Sequence, residues 1–245
     1  MKTPPRIYVN TPLTAGTAVT LPHNALKHLR ARRTRNSEPI VLFNGDGHEY
    51  VGQLQTLDRR EARVIVAEAR PVDRESPLRV TLMQAVSKGE RMDYTLQKAV
   101  ELGAARLIPV FTERSVVRLD AERREKRHRH WEAVVAAACE QCGRNILPQV
   151  DEPRPLADAW SLIEDELRFV LAPTAQSSLK SLPLADLRAA TMLIGPEGGL
   201  SEAELVAAAD EGFREVSLGP RILRTETAGV AALTALQVLA GDLAE

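Results

Sequence analysis

Apolar and polar residues alternate along this chain in two different rhythms, and the change comes at Leu78. Before it, apolar positions gather in short strand-length runs: Arg6-Ile7-Tyr8-Val9, Pro39 to Phe43, His48 to Leu57 and Ala62 to Ala67. Ala25 to Arg30 reads as a helical turn or two. Asn44-Gly45-Asp46-Gly47 separates two of the runs and is a good hairpin turn. The pattern predicts a small antiparallel barrel. Pro71-Val72-Asp73-Arg74-Glu75-Ser76-Pro77 is charged, bounded by prolines and without periodicity, so it reads as a linker.

After Leu78, strand-like runs occur at Leu78–Met83, Arg106–Phe111, Leu167–Leu171, Thr191–Ile194 and Glu215–Leu218. Helical patterns lie between or after them, at about Arg91–Leu102, Ala121–Cys142, Leu182–Leu187, Glu202–Asp210 and Ala228–Ala240. That alternation predicts an α/β domain built on a parallel sheet. Two domains are therefore expected, residues 1–72 and residues 78–245.

Two stretches interrupt the second rhythm where α/β folds bind ligands, outside the carboxyl ends of strands. The first is Ile194-Gly195-Pro196-Glu197-Gly198-Gly199-Leu200-Ser201. Its glycines let a ligand approach the backbone. Ser201 and Glu204 form a capping box, so a helix starts near Glu202. Exposed backbone groups beside that helix suit a polar ligand carrying an adenine or ribose; a tight structural turn would use the same residues. The second stretch is Leu218-Gly219-Pro220-Arg221-Ile222-Leu223-Arg224-Thr225-Glu226-Thr227-Ala228. Thr225 or Thr227 can cap the helix that follows, and Glu226 suits the positive end of its dipole. Arg221, Arg224 and Glu226 make a candidate site for an anionic substrate, or else decorate a capped core helix. Neither stretch contains G-x-G-x-x-G, and no lysine closes the first as a P-loop requires.

The pair GPEGGLSEAE and LGPRILRTETA closely resembles the knotted SPOUT-type RNA methyltransferases, and within them the ribosomal RNA small subunit methyltransferase E family, which methylates N3 of a 16S rRNA uridine. Lys88-Gly89-Glu90-Arg91-Met92-Asp93, Gln97 to Gly103, Glu113-Arg114-Ser115 and Glu140-Gln141-Cys142-Gly143-Arg144 match in the same order. Cys142 stands where serine is expected. The resemblance runs from about residue 78 to the end, and more loosely over the N-terminal part. It implies a SPOUT domain with a C-terminal trefoil knot, a PUA-like barrel that helps hold RNA, and a homodimer. It implies S-adenosylmethionine on Ile194, Gly195, Pro196, Glu197 and Gly198, and on Leu218, Gly219, Ile222, Leu223 and Thr227. Ala172-Pro173-Thr174 is a candidate third loop. Arg224 is the candidate stabiliser of a uracil anion, and Glu226 or Glu197 the candidate proton acceptor, with bulk hydroxide as the alternative. Arg114 and Arg144 are candidates for RNA phosphate. The knot motifs alone also permit ribose 2′-O or guanine N methylation. A non-catalytic RNA-binding ribosome-assembly factor is a further alternative, which retention of both glycine loops opposes.

Composition changes this picture in one respect. The net charge is −1, but residues 1–75 hold 12 Lys/Arg against 8 Asp/Glu, whereas residues 76–245 hold 20 against 25. The basic excess gathers at Lys27, Arg30, Arg32, Arg33 and Arg35, beside His23 and His28. A basic patch on a small domain is the usual footprint of nucleic acid, so Arg30, Arg32, Arg33 and Arg35 are candidate phosphate contacts. The 16S rRNA or small ribosomal subunit is the expected partner.

Other chemistry is weaker. Cys139-x-x-Cys142 lies in a helical pattern without a second such pair, and reads as inert rather than as a redox or zinc site. His128 and His130 are two apart on a helix and do not share a face, so no metal is expected. The surrounding run of Arg and Lys reads as a solvated helix start, with an RNA contact as the alternative. Asp93 and Glu101 lie about 12 Å apart along a helix, too far for a carboxylate pair. Met1-Lys2-Thr3-Pro4-Pro5-Arg6 has no apolar run behind it and the longest apolar stretch is too short for a bilayer, so a soluble cytoplasmic protein is expected.

Overall fold

The computed structural model describes residues 3–117 and 119–244. Its contacts divide into two compact units. One comprises the chain up to Glu75 together with Cys139–Leu147, and the other comprises Ser76–Ala138 together with the chain from Pro148 onward.

The first unit holds β1 (Arg6–Tyr8), β2 (Ala18–Thr20), α1 (His23–Ala31), β3 (Pro39–Phe43), β4 (His48–Leu57) and β5 (Ala62–Pro71). The strands form one sheet in the order β1-β3-β4-β5-β2. Alternation is visible in β5, where Ala62, Val64 and Val66 are buried and the residues between them exposed. Those inward residues join Ile7, Leu29, Ile40, Leu42 and Leu54 in one core. The sheet is not wholly antiparallel as the pattern predicted, because β1 runs parallel to β3. β2 and α1 lie between them in sequence and supply the crossover that a parallel pair needs.

Residues 143–145 are bound into this unit by buried polar groups. Arg6 donates to Glu49 Oε1 at 2.5 Å, to the Gly143 carbonyl at 3.0 Å and to Asn145 Oδ1 at 2.6 Å. Arg74 donates to the same Glu49 oxygen at 2.7 Å. Burial pushes the Glu49 carboxyl up, but the bonds and charges of Arg74 and Arg6 outweigh it and hold the group below its usual range.

The second unit begins with β6 (Arg79–Ala85), α2 (Glu90–Glu101), β7 (Ala104–Phe111) and α3 (Ala121–Cys142), whose last turn from Cys139 belongs to the first unit. Then come β8 (Gln149–Val150), β9 (Arg154–Pro155), α4 (Leu156–Ala159), β10 (Leu167–Leu171), β11 (Ala189–Ile194), α5 (Glu202–Asp210), β12 (Arg214–Val216) and α6 (Thr225–Ala240). The sheet order is β12-β10-β11-β6-β7-β8, with β9 beside β7, and every pairing is parallel. β6 and β11 are buried over nearly their whole length, which explains their continuous apolar runs. After the edge strand β12 the chain returns to the middle of the sheet, where α6 packs on α2, β11 and β6.

The expected helix at Leu182–Leu187 does not form. Leu182 is extended before Pro183, as a residue preceding proline usually is. Asp186 then takes a positive φ of 56° in a turn. No helix among the described residues is long and apolar enough to cross a membrane.

Candidate functional site

Three neighbouring parallel strands, β12, β10 and β11, end at one rim, and the loops that follow them enclose a cavity of about 540 Å³. Leu171 to Thr174 form one wall, Ile194 to Glu197 with Gly199 and Leu200 the second, and Val216 to Gly219 with Arg221 to Thr225 the third.

The first glycine loop is set by its own chemistry. The Gly199 N–H donates to the Pro196 carbonyl at 2.9 Å, and Gly199 takes φ of 70°. Ser201 then caps α5 with the expected box: Glu204 N–H donates to Ser201 Oγ at 3.3 Å, and Ser201 N–H donates to Glu204 Oε2 at 2.9 Å. A Cβ on Gly195 would lie 3.2 Å from both Leu200 N and Leu200 Cγ, so a side chain there would push the loop open by a few tenths of an ångström. From below, Arg114 donates to the carbonyls of Gly198 and Leu200 at 3.1 and 3.3 Å.

The second loop departs after the Ser217 N–H has donated to Ser177. Gly219 takes φ of 89°, a region open to glycine. The N–H groups of Leu218, Gly219, Ile222 and Leu223 make no backbone hydrogen bond among the described residues. Where the chain enters α6, Thr225 is not the cap that the sequence predicted. Arg224 occupies the N-cap position without a side-chain bond, and Thr225 is the first helical residue. Its buried hydroxyl donates to the Gly195 carbonyl at 2.7 Å and accepts from Gln84 Nε2 at 2.9 Å. A helical first turn frees the threonine hydroxyl for this longer reach, and it fixes the two glycine loops to each other.

Charges around the cavity are unevenly satisfied. Arg91, in the first turn of α2, donates to Glu197 Oε1 at 2.8 Å, and its Nε stands 4.0 Å from Glu226 Oε1. The other Glu226 oxygen is buried without a hydrogen-bond partner among the described residues. Arg221 and Arg224 are exposed, line the cavity and make no side-chain hydrogen bond or ion pair among the described residues. Ile222, between them in sequence, is 84% exposed.

Of the residues expected around a cofactor, the structure brings Ile194, Gly195, Pro196, Glu197, Leu218, Gly219, Ile222 and Leu223 to the cavity, along with Ala172, Pro173 and Thr174. Gly198 and Thr227 are not among its lining residues. Gly198 faces Arg114 instead. Of the three candidate catalytic residues, Arg224 and Glu197 line the cavity and Glu226 does not. Arg91 is the residue that sequence reasoning missed as a site member. It lay within a stretch already matched by resemblance, but no local pattern said which strand end it would face.

The other candidates lie elsewhere. Arg30, Arg33 and Arg35 are exposed on the first unit, and Arg32 is half-buried. Arg30 donates to the Asp58 carbonyl and Arg32 to the Thr3 carbonyl. Arg144 is only 4% exposed and is ion-paired with Glu75, so its guanidinium is not presented to a phosphate here. Cys139 is buried, and burial pushes its thiol up to about 12. His128 bonds the Val150 carbonyl while His130 bonds Asp93, so the two rings turn to different partners. Glu101 is held by Lys98.

Comparison with known proteins agrees with this geometry. A family model described as an RNA methyltransferase domain matches residues 74–237, and one described as an RNA methyltransferase PUA domain matches residues 21–67. The chain is 33% identical to the ribosomal RNA small subunit methyltransferase E of Buchnera aphidicola, over 98% of each sequence. Among solved structures, the enzyme of that name from Neisseria gonorrhoeae, bound to S-adenosyl methionine, is 39% identical with a TM-score of 0.90, covering 98% of this chain and all of that one. A Legionella pneumophila structure with the cofactor SAM bound is 37% identical with a TM-score of 0.94, covering 99% of this chain and all of that one.

Proposed function

We propose that this chain, which belongs to the ribosomal RNA small subunit methyltransferase E family, transfers a methyl group from S-adenosylmethionine to N3 of a uridine in 16S rRNA. Family membership carries the coarser statement: an S-adenosylmethionine-dependent methyltransferase of small-subunit ribosomal RNA, with a parallel-sheet catalytic domain and a PUA domain. The finer reading rests on the cavity. One observation carries it: Arg224, without an ion pair among the described residues, and an Arg91-held Glu197 line the same cavity.

The residues present fit the cofactor. Leu171, Ile194, Leu205 and Val216 give apolar walls for a flat base, and the free N–H groups of the second loop give it hydrogen-bond donors. When bound, S-adenosylmethionine supplies a methyl already activated on a sulfonium. The chain must then align the uracil and assist loss of its N3 proton, since the neutral imide is a poor nucleophile. Arg224 is the proposed stabiliser of the negative charge that spreads over the two uracil carbonyls, an electrostatic role like that of an oxyanion hole. Glu197 is the proposed proton acceptor, oriented by Arg91. Glu226 is the second carboxylate near Arg91, 4.0 Å from its Nε. Arg30, Arg32, Arg33 and Arg35 are proposed to hold RNA phosphates, with Arg114 contributing at the loop. A homodimer is proposed as well, supported by the exposed apolar side chains Val238 and Leu239 on α6. The return of α6 to the middle of the sheet supports the expected trefoil knot.

Mapping uridine methylation in rRNA from cells lacking this protein tests the reading. Loss of one N3-methyluridine from 16S rRNA is expected. Loss of a ribose or guanine methyl with every N3-methyluridine intact would overturn it.

A further inference from the structure

The basic run at the start of α3 is not evenly solvated. Arg123, Lys126, Arg127 and His130 follow the spacing i, i+3, i+4, i+7 and so share one helix face, extending about 10 Å along the axis. Glu122 sits at the flank, one turn before Lys126, while Glu125 and Glu132 fall on the far side. There Glu125 stands 3.7 Å from Arg129, and Glu132 stands 4.0 Å from His128. Glu125 and Glu132 therefore face other bases, and Glu122 makes no ion pair with Lys126 among the described residues, so the Arg123 face stays cationic. Lys126 and Arg127 are exposed and make no hydrogen bond or ion pair among the described residues. Arg123 has a neighbour in Asp120 at 3.5 Å, but both are well exposed and such a pair is weak.

This face is tied to the cavity by one bond. His130 Nε2 meets Asp93 Oδ2 at 2.7 Å. Since a carboxylate only accepts, the imidazole donates there. Asp93 lies in the first turn of α2, two residues from Arg91, which lines the cavity. The cationic face therefore begins beside the α2 turn that carries the cavity's own arginine.

We propose that the Arg123–Lys126–Arg127 face of α3 is an RNA-backbone track, which holds the strand flanking the target nucleotide by its phosphates. The proposal rests on the RNA-methylation reading. Unpaired cations segregated on one helix face favour a polyanion, and a run of them suits successive phosphates rather than one small anion. The track reads no sequence; it positions the strand.

The test is a Lys126→Gln/Arg127→Gln double variant, with Glu132→Gln as a control on the opposite face. Binding to unmodified 16S rRNA is titrated against salt, and S-adenosylmethionine affinity is measured by calorimetry. The double variant should bind RNA on the order of tenfold more weakly at low salt, and its slope of log affinity against log salt should be shallower by roughly 1 to 1.5. The KM for RNA should rise at unchanged kcat, with cofactor affinity and melting temperature as in the parent. A Lys126→Arg/Arg127→Lys variant should restore binding. Parental RNA affinity and salt slope in the double variant would overturn the track while leaving the methylation reading intact. A parent protein that binds no RNA would overturn both.

Discussion

Thr225 Oγ1 donates to the Gly195 carbonyl across 30 residues of sequence, and this 2.7 Å bond joins the two glycine loops of the cavity. The hydroxyl also accepts from buried Gln84, so three elements meet at one oxygen: β6, the end of β11 and the start of α6.

Thr225→Val keeps the shape and removes both bonds. It leaves a buried carbonyl and a buried amide without this partner, at a cost of about 1–3 kcal/mol. Denaturant unfolding should register that loss, and calorimetry should register weaker S-adenosylmethionine binding. Thr225→Ser should recover both. Unchanged stability and affinity in the valine variant would show that the loops are held by other contacts.

Gly195 tests the cradle itself. A Cβ there would crowd Leu200 at 3.2 Å and a larger side chain would enter the cavity, so a bulky substitution should abolish S-adenosylmethionine binding while circular dichroism still reports a folded protein. An unaltered calorimetric affinity would remove Gly195 from the cofactor site.

Arg224 and Glu197 can be separated by what each loses. Arg224→Ala should lower single-turnover kcat by about 100- to 1000-fold, the usual cost of one preorganised donor. Its melting temperature should hardly move, because the exposed guanidinium makes no hydrogen bond or ion pair among the described residues. Arg224→Lys keeps the charge but loses the planar fork, and should remain impaired. Glu197→Gln should also be slow, yet recover as pH rises and hydroxide replaces the lost base. An equal deficit at every pH would remove Glu197 from the proton path.

Stability should carry a pH signature from Glu140. Burial raises this carboxyl above its ordinary 4.5, although the Tyr8 N–H donates to it at 2.9 Å. A folded pKa above the unfolded one means that the native state binds the proton more tightly. The contribution of this group is therefore greatest at acidic pH and falls as pH rises from the unfolded value through the folded one. Glu140→Gln keeps an acceptor for Tyr8 and removes the charge. Chemical denaturation at several pH values should find the variant stabilised at neutral pH relative to the parent, with the gap closing in acid. A gap independent of pH would contradict this.

Much of the architecture was legible because periodicity reports burial directly. β3, β4, β10, α3 and α5 occupy the residues that the pattern marked. β2 escaped because its three residues include two that are exposed, and so carry no alternation. The Leu182–Leu187 pattern misled because apolar spacing ignores what Pro183 does to its neighbour. The two glycine loops stood out because backbone chemistry leaves local marks. Arg91 did not, since its meaning comes from Glu197, which is 106 residues away. Arg144 misled for the same reason: a buried arginine and an exposed one look alike in sequence until Glu75 is placed beside it. Nor does local pattern show that Cys139–Leu147 packs with the first 75 residues.

The most direct measurement uses purified protein, labelled S-adenosylmethionine and small-subunit ribosomal RNA lacking its methyl groups. The product RNA is digested to nucleosides and the labelled one identified by chromatography and mass. The account predicts label in N3-methyluridine alone, lost in Arg224→Ala under conditions where that variant still binds cofactor and RNA. Label in a 2′-O-methyl nucleoside or a methylguanine, or undiminished labelling by Arg224→Ala, would contradict it.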